Sequence, residues 1–250
     1  MSSYQMRLEQ ALDTWRNWQS PFSKKPTVLE KISSGYTNRS YLVGDRASAV
    51  ILRLNHPDSK TLGINRRHEY HILQSIRSLN IAPKIVYWSK AMNFAVFEFI
   101  DGRVWTDKDF LQAEQHQRLM DVIAKYRSVA IDIASFSYHS YLNSYWHKFK
   151  LQGGNTAPYQ RDWDLFNKQL KLYERLHKNR VLTHHDLVAE NIIETNNGIK
   201  IIDWEYAGLG IAALDDYFVI KHSRKNIYKA KYQMARNIIS WLDKLWWEIR

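Results

Sequence analysis

The sequence predicts an α+β protein with a strand-rich N-terminal lobe and a mainly helical C-terminal lobe. Three observations carry this expectation. Short β-prone runs separated by turn residues fill the first hundred positions. Proline-free stretches of helix formers dominate from about Phe110 onward. A small β insertion, VLTHHDL and GIKIIDW, interrupts the helical half. The break falls at Asp101-Gly102, which sets expected units of 1–100 and 101–250.

Taken in order, residues 7 to 19 have helical spacing, with Leu8, Leu12, Trp15 and Trp18 on one face. TVLEKI, SYLVG and SAVILRL, between Thr27 and Leu54, read as strands. Asn65 to Leu79 reads as a helix that places Tyr70, Ile72, Leu73, Ile76 and Leu79 on its apolar side, with Pro83 beyond its end. KIVYWS and NFAVFEFI return to strands. Residues 110 to 136 and 161 to 178 are predicted helical, with GGNTAP as a loop between them. VLTHHDL and GIKIIDW then form short strands, and the last thirty residues are helical.

The 250 residues include 45% hydrophobic and 24% charged side chains, ordinary for a packed globular chain. With no cysteine, the chain has no disulfide framework, thiolate metal site or cysteine nucleophile. The charged N-terminus lacks the apolar core of a secretory signal, and no uncharged run approaches the ~18 residues of a membrane span. These features lead us to expect a cytoplasmic protein. The formal charge of +11 and the basic stretch 221 to 236 suit either a solvated helix face or an anionic partner such as nucleic acid. Ten Trp and fifteen Tyr suit core packing, base stacking or a cage for an organic cation.

The chemistry is concentrated in HHDLVAEN, residues 184 to 191, followed by IIDWE at 201 to 205. His-x-Asp-Leu-x-x-x-Asn is the spacing of a kinase catalytic loop. A β-hairpin turning at Asn196-Asn197-Gly198 fills the gap between Asn191 and Asp203. Phosphoryl transfer needs positioning and charge neutralisation more than covalent chemistry. In this reading Asp186 accepts the proton of the attacking hydroxyl. Asn191 and Asp203 offer hard oxygen ligands for Mg²⁺ against the phosphates of ATP. His184 braces the loop.

HHDLVAEN with IIDWEYAG resembles the aminoglycoside phosphotransferase and choline/ethanolamine kinase superfamily, which implies a protein-kinase-like two-lobed fold. GYTNRSYLV, ILRL, GINRRHEYHIL with IAPKIVY, and FEFIDGRVWT are similar to further segments of its bacterial choline-kinase-like members. The resemblance spans most of residues 30 to 216. It implies that Arg53 grips the nucleotide phosphates and pairs with Glu69, which by itself also suits a solvated helix face. It implies that Ser34, Gly35, Thr37 and Asn38 cover those phosphates through backbone N–H groups. Phe97, Glu98, Phe99 and Ile100 would form the hinge that meets adenine, although the two phenylalanines equally suit strand core. Asp215, preferred over its neighbour Asp216, would brace the catalytic loop.

The same resemblance implies an acceptor that is a cationic alcohol of the choline or ethanolamine type, with thiamine as the nearest competitor. Trp204, Tyr206, Trp241, Trp246 and Trp247 are candidates for aromatic walls, or are core, and Glu205 or Glu190 would add charge attraction. A catalytically silent nucleotide-binding protein is disfavoured because Asp186, Asn191 and Asp203 are all present. A nucleic-acid-binding protein lacks any supporting motif. A protein-serine kinase is disfavoured because no Ala-Pro-Glu segment follows Asp203.

Overall fold

A computed structural model describes residues 3–20, 22–33, 37–45, 48–222 and 231–248. In chain order the longer elements are α1 (Ser3–Asp13), β1 (Thr27–Ser33), β2 (Asn38–Gly44), β3 (Ala49–Asn55), α2 (Arg66–Ser75), β4 (Ile85–Trp88), β5 (Phe94–Glu98), β6 (Arg103–Val104), α3 (Ala113–Arg127), α4 (Tyr138–Leu151), α5 (Gln160–Leu176), β7 (Val181–Thr183), β8 (Ile192–Thr195), β9 (Gly198–Ile201), β10 (Gly208–Gly210), α6 (Ala213–Ile220) and α7 (Gln233–Glu248). They divide into two compact units, Met1–Trp105 with Glu190–Tyr206, and Thr106–Ala189 with Ala207–Arg250.

The first unit is built on an antiparallel sheet of order β1-β2-β3-β5-β4. Alternation along β3 sorts its side chains between the two faces. Val50, Leu52 and Leu54 join Val96 and Phe94 of β5 and pack with Ala11 and Leu12 of α1 and with Trp18 and Phe22. Ile51, Arg53 and Asn55 take the opposite face. α1 ends earlier than the periodicity predicts because Thr14 turns its hydroxyl back on the carbonyl of Ala11 at 2.7 Å and accepts the Trp18 indole N–H at 3.0 Å. The chain then makes a short 3-10 turn, Trp15–Asn17.

α2 starts where Asn65 caps it, the side-chain oxygen accepting the N–H groups of Arg67 and His68 at 3.1 and 3.2 Å. It buries Arg66, Glu69, Ile72 and Leu73. The β8–β9 hairpin belongs to this unit because β6 pairs with β8, the Trp105 N–H donates to the Ile192 carbonyl at 2.9 Å, and the Ile201 N–H donates to the Ile81 carbonyl at 2.7 Å. The division therefore falls after Trp105 and returns residues 190–206 to the first unit, against the single expected break at residue 100.

In the second unit, the predicted helix 110–136 is shorter. α3 closes at Arg127, and the Ser128 hydroxyl donates to the Lys125 carbonyl at 2.7 Å. The following VAIDIASF places β-branched Val129, Ile131 and Ile133 at alternate positions, a strand-like period that does not sustain a helix. Ser135 instead bridges to Leu209, and the Phe136 N–H donates to the Leu209 carbonyl at 2.8 Å. α4, which falls between the two predicted helices 110–136 and 161–178, starts at a Ser137 cap that accepts the Ser140 N–H. Its Tyr138, Leu142, Tyr145, Trp146 and Phe149 recur at helical spacing and enter a core shared with Trp163, Phe166 and Leu170 of α5 and Ile238 and Leu245 of α7. The two-stranded β10–β7 sheet lies in the same unit. Among the described residues, no helix is long and apolar enough to cross a membrane.

Candidate active site

In the first unit, Arg53 and Glu69 form a two-pronged ion pair with N···O distances of 2.6 and 2.9 Å, both side chains being 8% exposed or less. The pair is held from several sides. Asn55 accepts from the Arg53 Nε at 3.1 Å, and Arg66 donates to Glu69 at 2.8 Å. Arg66 also donates to Glu205 at 2.7 Å and to the Asn38 side-chain oxygen at 2.7 Å, and the Asn38 amide donates to Glu205 at 2.7 Å. Two arginines thus meet two glutamates in a buried network without excess charge, the condition under which buried ions are tolerated. Burial opposes ionisation of Glu69, but Arg53 and Arg66 outweigh it and hold the carboxyl below its usual range. Burial likewise opposes the charge on Arg53, and Glu69, Glu205 and Asp203 raise its pKa well above normal.

Arg53 and Glu69 form part of the wall of a cavity of about 510 Å³. Thr37, Asn38, Asn191 and Asp203 also line it, so polar groups from β2, β3, α2 and the β8–β9 segment converge on one space. Ser40, Glu98 and Glu190 line it too, and its apolar part includes Ile51, Phe97, Ile100, Val104, Ile193 and Ile202. Asp203 lies 3.9 Å from the Arg53 guanidinium and occupies left-handed backbone space at φ 61°, sparsely populated by residues with a Cβ. Of the expected hinge, Phe97 is buried, and Glu98 uses its N–H on the Lys84 carbonyl at 3.0 Å. Phe99 and Ile100 follow the end of β5 and line the cavity. Ser34 and Gly35 lie outside the described residues.

Asn191 and Asp203 supply an amide and a carboxylate oxygen to the same cavity. Magnesium with a nucleotide takes one or two carboxylates and completes its shell from phosphates and water, so this donor set fits the ion. Among the described residues, no cluster of three or more His, Asp or Glu forms a separate metal cage.

In the second unit, β7 delivers the chain into His184, His185 and Asp186. Asp215, fully buried at the start of α6, accepts the N–H of His184 at 2.8 Å, the N–H of His185 at 3.0 Å and the hydroxyl of Tyr126 at 2.5 Å. His184 is fully buried, and its Nδ1 accepts the Asp186 N–H at 3.3 Å. His185 takes φ 71°, and its Nε2 meets the Tyr138 hydroxyl at 2.7 Å. That hydroxyl also accepts the Ile211 N–H at 2.9 Å. These bonds fix the backbone of the loop and leave Asp186 half-buried beyond it. Asp216 pairs with Arg127 at 2.7 Å instead.

Several candidates for acceptor walls have other partners. Trp204 is 1% exposed, with its indole N–H on the Ile201 carbonyl at 2.8 Å, and Glu205 is committed to Arg66 and Asn38. Glu205 is thus bound within the buried network, whereas Trp204 also lines the Arg53 cavity. Tyr206 completes the same short 3-10 turn and is half-buried. Trp241 packs on Trp146, Trp163 and Phe166, the Lys244 ammonium sits 5.3 Å from its ring centroid, and the side chain lies half-buried against the core. Trp246 stacks 6.1 Å from Tyr145, and Trp247 is exposed.

Trp246 ends an aromatic row that the sequence reading missed. From His185 it runs through Phe136 at 4.7 Å, Tyr141 at 5.1 Å and Tyr145 at 4.9 Å between ring centroids. The available signal was the tyrosine spacing within YHSYLNSYW. Asn38 and Arg66 were also unforeseen as members of the ion network, since their partners lie up to 167 residues away.

A model of the phosphotransferase enzyme family matches residues 28–236. The choline kinase LicA from Streptococcus pneumoniae superposes with a TM-score of 0.75 at 17% identity, covering 99% of this chain and 91% of that one. A choline/ethanolamine kinase family protein from Mesorhizobium loti gives 0.69 at 16% identity, over 96% of this chain and 84% of the other. The aminoglycoside phosphotransferase APH(4)-Ia, in a ternary complex with AMP-PNP and hygromycin B, gives 0.64 at 13% identity, over 92% and 91%. The fold is thus the protein-kinase-like fold of these enzymes. A comparison with curated protein sequences returned no match.

Proposed function

Because the chain belongs to the phosphotransferase enzyme family, we propose that it transfers the γ-phosphoryl group of ATP to the hydroxyl of a small cationic alcohol of the choline or ethanolamine type. The observation that carries this reading is the cavity in which Arg53, Asn191 and Asp203 share one space with an apolar wall. An adenine base fits the apolar part, between Ile51, Ile100 and Ile202, and Arg53 neutralises the phosphates from a fixed position. Glu69 prevents Arg53 from relaxing, so the guanidinium is preorganised before nucleotide arrives. Asn191 and Asp203 would hold Mg²⁺, which would screen the phosphate charge.

Asp186 orients the acceptor hydroxyl and takes its proton as the oxygen attacks the γ-phosphorus. The bond to the β,γ-bridging oxygen breaks, and ADP leaves. Asp215 acts only through the backbone of the preceding loop. The aromatic row that begins at His185, one residue before Asp186, suits a quaternary ammonium, because a cation over each ring gains ~0.5–2 kcal/mol. Choline and ethanolamine kinases among the structural neighbours are consistent with such an acceptor.

The test is ADP release by the purified protein with MgATP and choline, ethanolamine, thiamine or an aminoglycoside. Asp186→Asn is expected to lower kcat by ~10²–10⁴-fold with the active acceptor. Turnover that survives Asp186→Asn would overturn the assignment of the base. Binding of MgATP without turnover on any acceptor would sink the cationic-alcohol reading alone.

A further inference from the structure

Within the first unit, a second cavity of about 420 Å³ opens beside α2 and β4. Among the described residues its lining has no acidic side chain and includes Arg77, Lys84 and Lys90. Lys84 lies 4.0 Å from Glu98. Arg77 and Lys90 are exposed and have no ion-pair partner among the described residues. Aromatic area comes from Tyr70 and Trp88, whose rings meet edge to face at 5.4 Å.

Leu73 and Pro83 line this cavity and also the Arg53 cavity, so one layer of side chains divides the two. Trp88 contacts the same divide. Its ring lies 5.8 Å from that of Phe97, and the Arg53 guanidinium carbon is 5.7 Å from its centroid.

We infer that this outer cavity binds a small aromatic anion, an aryl phosphate or aryl carboxylate, and that its occupancy changes nucleotide affinity in the Arg53 cavity. Three cations around an acid-free hollow raise the local positive potential, and an anion relieves their mutual repulsion. A ring on the same ligand covers Tyr70 and Trp88, which inorganic phosphate cannot do. Packed interiors transmit displacement, so a ligand that moves Leu73 or Trp88 also moves the wall behind Arg53. Coupling of this kind is reciprocal and commonly amounts to about 5- to 150-fold in affinity. The coupling rests on the nucleotide reading proposed above, whereas the binding of the anion does not.

Phenyl phosphate is the probe, titrated calorimetrically into the full chain, with benzyl alcohol and inorganic phosphate as controls. The expected result is saturable binding of phenyl phosphate that exceeds both controls, weakens with salt, and falls at least tenfold in Arg77→Glu/Lys90→Glu. Both positions are exposed, so the variant is expected to fold. AMP-PNP titrated at increasing phenyl phosphate should show an affinity shift that levels off. A shift that grows without limit, or binding indifferent to the two charge reversals, places the probe in the Arg53 cavity and overturns the inference. Absence of phenyl phosphate binding also overturns it. Phenyl phosphate binding with no AMP-PNP binding at all would refute the nucleotide reading and the coupling, and leave the outer site standing.

Discussion

Arg53 on β3 and Glu69 on α2 are joined by two hydrogen bonds of 2.6 and 2.9 Å, with both side chains buried in the wall of the cavity. The pair ties the helix to the sheet and at the same time aims a fixed positive charge into the cavity. Removing one partner leaves the other charge buried.

Glu69→Gln is therefore expected to destabilise the protein by about 3–5 kcal/mol in denaturant unfolding and to weaken nucleotide binding. The pH dependence has a definite sign. Glu69 has a lowered folded-state pKa, so its contribution is fully present above the unfolded value of ~4.3 and is lost as pH falls through the folded value. Stability of the parent should decline over that acid range more steeply than stability of Glu69→Gln. Equal slopes would exclude Glu69 as the titrating group.

Asp215→Asn replaces a carboxylate that accepts three hydrogen bonds with a group that accepts at only one atom. The expected loss is about 2–4 kcal/mol, because one loop N–H then faces an amide donor. Tyr126→Phe removes only the hydroxyl partner and should cost less. A kcat drop in Asp215→Asn, measured below its melting transition with the KM for ATP little changed, would identify the defect as the posture of Asp186.

Gly210 allows β10 to pass close to the loop. A Cβ there would collide with the His185 imidazole and the Tyr138 hydroxyl. Gly210→Ala should lower kcat and melting temperature together, because the φ 71° turn at His185 depends on that contact. Tyr138→Phe strands the Ile211 N–H and should cost about 1–3 kcal/mol. An unchanged melting temperature in both variants would show that neither contact holds the loop.

Phe136→Ala and Tyr141→Ala probe the aromatic row. If it receives a cationic head group, each should raise the KM for choline by about 3- to 10-fold, in line with ~0.5–2 kcal/mol per ring, with a smaller effect on kcat. The KM for ATP is the internal control. A parallel rise in both KM values would indicate a general packing defect instead.

The sequence by itself determined the features that lie close together along the chain. His184 to Asn191 and Ile201 to Glu205 are contiguous motifs, and the β-prone run SAVILRL was sufficient to write the strand that carries Arg53. Loop chemistry and strand periodicity are local properties, readable before folding. Tertiary structure decided which charges pair and which aromatic faces stay available. Glu205 is paired with Arg66, 139 residues away, and Trp241 packs against Trp146 and Trp163, neither of which its own neighbourhood in the sequence reveals. A tryptophan or glutamate has the same local signature whether its partner is a ligand or another part of the chain. Only burial against residues distant in sequence, with the desolvation that burial imposes, separates the two.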